Sequence, residues 1–77
     1  MTRRLHTAQL ETWEAFASTG RSGFPEPAWI VFHCTSQSDR APRYTEYSGD
    51  KSEAEGAMGT VSDSELEELF ERSRPLS

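Results

Sequence analysis

The chain has no asparagine, one cysteine (Cys34), one lysine (Lys51) and no apolar run near the ~18 residues a membrane span requires. Each shortage excludes something. A lone cysteine cannot form an internal disulfide, and no group of cysteines and histidines has metal-site spacing. Arg3 and Arg4 are not followed by the apolar segment of a secretory signal, so the expected compartment is the cytoplasm. Seven arginines against one lysine, with no asparagine, is the bias of a GC-rich genome and suggests a bacterial or phage source. Apolar residues fill only 34% of 77 positions, so one small domain must commit most of its eight aromatics to a core. Little surface is then left to enclose a substrate.

What the chain has in excess is carboxylate. The formal charge is −5, and it is unevenly placed. Residues 44–77 hold nine acids against Lys51, Arg72 and Arg74, whereas residues 1–43 carry a net +1. The second half is therefore expected to be drawn to basic surfaces and repelled by phosphate and anionic lipid.

The best-specified element lies in that half. In Ser62-Asp-Ser-Glu-Leu-Glu-Glu-Leu-Phe-Glu-Arg-Ser73, Ser62 can cap the first backbone N–H groups and Glu65 can complete a capping box. Val61 and Leu66 occupy the positions of a hydrophobic staple, and Pro75 stops the helix. Glu68 and Arg72 have the spacing of a helical ion pair. Just before it, Asp50 and Glu53 repeat the capping pattern and open a shorter helix to about Met58, with Ala54, Ala57 and Met58 inward and Gly59 at its end.

Upstream, Ala28–Thr35 (Ala-Trp-Ile-Val-Phe-His-Cys-Thr) is rich in β-branched and aromatic residues and reads as a central strand. Ala28, Ile30, Phe32 and Cys34 share one face, and Trp29, Val31, His33 and Thr35 the other. After a polar loop over 36–42, Arg43–Tyr47 reads as the return strand of a hairpin. The segment 19–27, with Gly20, Gly23, Pro25 and Pro27, is a breaker. Before it, Leu10, Trp13, Phe16 and Ala17 fall on one stripe at helical spacing and predict a helix from about Ala8 to Ser18, capped by Thr7 and ended by Gly20. The competing reading is an edge strand from Thr12 to Ala17, disfavoured because Glu14 would share a face with Phe16. The expected fold is a single α+β domain over 1–77, with 1–6 and 75–77 frayed. An antiparallel hairpin of two or three strands is packed by an N-terminal helix and two C-terminal helices.

Catalytic patterns are sparse. His33 adjoins Cys34, but neighbours on a strand point to opposite faces, so thiol and imidazole do not meet. Cys34 reads instead as a small core residue. No G-x-S-x-G or S-x-x-K motif occurs, and Gly20-Arg-Ser-Gly23 lacks the ending of a P-loop. Carboxylates on an exposed helix have no dry environment to prepare them as general acids. No enzymatic activity and no cofactor are expected.

Two surfaces remain. On the acidic side, Glu53, Glu55, Asp63, Glu67, Glu68 and Glu71 could dock on a basic, nucleic-acid-handling partner, with Leu69 or Phe70 as an anchor. This makes an inhibitor or regulator, encoded by a phage or mobile element, the first expectation. The second is an adaptor or subunit of a bacterial complex binding through a sheet face of Trp29, Arg40, Arg43 and Tyr47. The third is weak binding of single-stranded nucleic acid by Arg21, Arg40, Arg43, Tyr44 and Tyr47, which the net negative charge opposes.

Overall fold

The computed structural model describes residues 2–19 and 27–76. The elements run β1 (Arg3–His6), β2 (Thr12–Ser18), β3 (Ala28–Cys34), β4 (Arg43–Tyr47), α1 (Lys51–Thr60), α2 (Asp63–Arg72) and β5 (Arg74–Pro75). All five strands form one antiparallel sheet in the order of the chain. Both helices are therefore inserted before the last strand, and Pro75 returns to pair with Arg43.

The helices cover one face only. Leu5 of β1, Trp13, Ala15 and Ala17 of β2, and Ala28, Ile30, Phe32 and Cys34 of β3 are buried there, and Ala54, Met58 and Leu66 close the core from above. Three alanines on β2 and β3 leave room for α1 to settle directly on these strands. Phe70 of α2 completes the packing at the far end, tilted on Trp13 at 5.0 Å and edge-on to Phe32 at 5.2 Å between ring centroids. The opposite face has no covering layer among the described residues.

The hairpin of β3 and β4 follows its sequence, in register from Ala28↔Tyr47 to Phe32↔Arg43. Asp50 caps α1 by accepting from Glu53 N–H at 2.9 Å, and Ser62 caps α2 by accepting from Glu65 N–H at 3.2 Å. The second cap is reciprocal in an unexpected way: the Ser62 hydroxyl also donates to Glu65 Oε1 at 3.3 Å. Val61 and Leu66 both join the core. Gly59 lies within α1 and does not end it.

The N-terminal third differs from the expectation. The sheet has five strands where two or three were expected, and residues 12–18 form β2 in place of an N-terminal helix. The stripe of Leu10, Trp13, Phe16 and Ala17 is not a face of anything. Leu10 is 92% exposed and Phe16 37%, whereas Trp13, Ala15 and Ala17 alternate inward with period two. Glu14 does share a face with Phe16, but that face is the open one. Nor is β2 an edge strand, because β1 pairs on one side of it and β3 on the other. The physical reason is non-local: an isolated helix of about eleven residues is marginal, while two flanking strands satisfy the backbone of β2 along both edges. Residues 3–6, expected to be frayed, supply one of those strands, and Leu76, also expected to fray, donates its N–H to Pro42 O at 2.8 Å. Gly20, assigned to end the expected helix, and most of the 19–27 segment lie outside the described residues.

Candidate protein-binding site

The two helices carry seven carboxylates against Lys51 and Arg72, so residues 51–72 account for the whole formal charge of −5. The amphipathic pattern of α2 turns Leu66 inward, Ala54 and Met58 face the sheet from α1, and Glu53, Glu55, Asp63, Glu67, Glu68 and Glu71 are left exposed on the layer that covers the sheet.

Two of these six acids are engaged. Asp63 Oδ1 meets Arg3 Nη2 at 2.9 Å, and Glu55 lies 3.6 Å from Lys51 one helical turn away. The Arg3 contact is structural: the same guanidinium donates to Met58 O at 3.1 Å and Val61 O at 2.7 Å, where α1 ends. It ties β1 to the α1–α2 junction and sits at the negative end of the α1 dipole. Glu53, Glu67, Glu68 and Glu71 take part in no ion pair among the described residues, and the expected Glu68–Arg72 bridge is not formed.

Glu67 and Glu71, one turn apart, form one lip of a cleft of about 380 Å³ between α2 and the β1–β2 turn. Leu5 and Phe70 contribute apolar walls, and His6 and Ala8 the other lip. The turn closes through Leu10 N–H to Thr7 O at 3.1 Å and Thr7 N–H to Glu11 O at 2.9 Å. Leu10 adopts φ +63°, a left-handed conformation that β-carbon crowding makes costly for leucine, and it does so fully in solvent. Neither core packing nor turn chemistry accounts for a leucine here. Leu69 and Phe70, the expected anchors, are partly buried against the core.

The residues grouped as an alternative sheet-face site are not brought together. Trp29 stands on the open face, stacked on Tyr44 at 4.2 Å between centroids. Arg43 and Tyr47 belong to the opposite, helix-covered face, since they pair with Phe32 and Ala28. Arg43 donates to Ser73 Oγ at 2.8 Å and lies over the Phe70 ring at 5.8 Å. Arg40, in the loop before β4, pairs with the buried Glu11 carboxylate at 2.8 Å, which also accepts from Trp13 Nε1 at 3.1 Å. These arginines hold the far end of the core together. The same division disperses the basic-aromatic patch suggested for nucleic acid, of which Arg21 lies outside the described residues.

His33 is exposed on the open face and Cys34 is buried on the covered one, so the adjacent pair does not converge. Among the described residues no helix is long and apolar enough to cross a membrane. Three residues take on roles here that the sequence did not assign them: Arg3 at the α1–α2 junction, Tyr44 stacked on Trp29, and His6 at the cleft. Only Tyr44 carried a readable signal, its pairing parity with Trp29 in the hairpin. Comparison with protein-family models, with curated proteins and with solved structures finds no match to this chain.

Proposed function

We propose that this is a non-enzymatic protein-binding module, an inhibitor or regulator that sets its acidic helical layer against a basic surface of its partner. The observation that carries this reading is the cleft at Glu67 and Glu71: two carboxylates with no ion pair among the described residues, one turn apart over apolar walls, in the layer that holds the entire net charge. A lysine or arginine of the partner fits such a cleft, its methylenes on Leu5 and Phe70 and its cationic head between the two acids. The remaining carboxylates act at longer range. They raise the encounter rate and favour surfaces built to hold phosphate.

An exposed ion pair contributes roughly 0.2–1 kcal/mol, so two of them cannot hold a partner alone. Affinity must come from several charges together with the apolar walls, and it must fall with salt. The test is titration of the isotopically labelled chain with an arginine-rich peptide, followed by NMR. Shifts should centre on Glu67, Glu71, His6 and Leu5, affinity should drop about tenfold or more from low to high salt, and Glu67→Lys with Glu71→Lys should remove binding. Shifts centred on the open sheet face, or binding that survives the double charge reversal, would sink the reading.

A further inference from the structure

The face of the sheet that no layer covers among the described residues has the anatomy of an interface. Phe16, Val31 and Tyr44 form one cross-strand row over β2, β3 and β4, and Trp29 stacks on Tyr44 beside it. Phe16 is 37% exposed, an unusual state for a phenylalanine in the middle of a sheet. Charge surrounds this row and balances. Arg4 lies 3.7 Å from Glu14, Glu46 is paired in register with Trp29, and Arg74 is paired with Tyr44 on the far edge.

We propose that this face binds a second copy of the same chain, giving a two-fold symmetric dimer packed sheet on sheet, with both helical layers outward. Three observations select that occupant. First, the face carries two arginines and two glutamates, so it is neutral with its histidines uncharged and can meet itself without repulsion, although the chain as a whole is at −5. In an isologous contact every patch must tolerate its own copy. Second, sheets that pack face to face lie about 10 Å apart. Two helical layers on the outer sides are then separated by well over one Debye length of about 8 Å, so their acids do not oppose assembly. A copy docked through its helices would bring like charges together. Third, the molecule extends 32 × 27 × 19 Å along its principal axes, and the face of a five-stranded sheet in a molecule of that size approaches the roughly 800 Å² per partner of a stable interface, with an apolar centre and a polar rim.

The proposal uses a different surface from the acidic cleft, so each stands or fails separately. The dimer would present two acidic layers on opposite sides, which makes it a bivalent ligand for basic surfaces.

Sedimentation equilibrium on the full chain tests it. The expected result is a concentration-dependent doubling of the 8.7 kDa mass, with a Kd in the micromolar range or tighter. Val31→Arg and, separately, Phe16→Glu should each weaken association by about 100-fold or more while circular dichroism stays unchanged, because an unpaired charge is forced into the apolar centre. Glu67→Lys should leave it unaltered. In mixtures of isotope-labelled and unlabelled wild-type chain, filtered NOEs should connect Phe16, Trp29, Val31 and Tyr44 between copies, a readout independent of variant folding. A wild-type chain that stays monomeric at roughly 0.5 mM overturns the proposal. So do intermolecular NOEs confined to another surface, folded variants that dimerise unchanged, or a monomer whose sheet face takes up a different protein.

Discussion

Phe16 and Phe32 sit on neighbouring strands of one sheet, and their circumstances differ completely. Phe32 pairs with Ala15 and points under the helices, where it is fully buried and edge-on to Phe70. Phe16 pairs with Val31 and points to the uncovered side, more than a third exposed. The strand alternation that sends one ring inward sends its neighbours outward. Whether a large apolar residue belongs to folding or to recognition is then decided by what covers the face. Charge divides the same way. The covering helices carry all the net negative charge, while the described residues of the other face carry two arginines and two glutamates.

The largest effect should come from breaking that contrast directly. Phe32→Ala is expected to cost about 3–5 kcal/mol by chemical denaturation, because it leaves a cavity beneath α2, while Phe16→Ala should cost about 1 kcal/mol or less. Comparable losses at both positions would mean that the open face is covered in the folded monomer. Next is the polar end of the core. Glu11→Ala removes the buried acceptor of the Trp13 indole N–H and the partner of Arg40, and should lower the unfolding free energy by about 1–3 kcal/mol. Arg40→Ala should cost less, since the Arg40 side chain is 53% exposed and Trp13 keeps its acceptor.

Smaller again, Ser62→Ala should destabilise α2 by about 1 kcal/mol through loss of its cap, read as a shift in the urea midpoint at constant slope. The smallest effect has the opposite sign. Leu10→Gly relieves a left-handed leucine that contributes no burial and should stabilise the protein by about 0.5–1 kcal/mol. Should the same substitution also weaken peptide binding at the Glu67/Glu71 cleft, Leu10 is held in that conformation for recognition. Unchanged binding would leave the leucine without a role at that site.

Residues with local signals were legible. The two caps, the hairpin from Ala28 to Tyr47 and the inward face of Ala28, Ile30, Phe32 and Cys34 depend on spacing within a few positions, and each formed as read. The exposure of Glu67, Glu68 and Glu71 followed from the helix period. The first strand could not be read, because Arg3–His6 has neither alternation nor length enough to mark a strand. Without β1 a helix over residues 8–18 was the simpler account of Trp13 and Phe16. The joint placement of Trp29, Arg43 and Tyr47 failed for a different reason. Faces of paired strands are correlated only through register, and the partner of Trp29 is Glu46, which puts Tyr44 beside it and turns Tyr47 away.

By itself the sequence determined the elements whose hydrogen bonds close within a helical turn, the alternation within each later strand, and the concentration of charge in residues 51–72. Only the tertiary structure decided that residues 3–6 pair with 12–15, that Arg3 reaches across to the α1–α2 junction, and that both helices pack on the same face of the sheet. Those outcomes depend on partners distant in sequence, and no local periodicity carries information about a partner that is not local. A single-residue change of register reverses every face on a strand. The sequence could therefore name the aromatic residues of the sheet, while the fold alone chose which of them face the core.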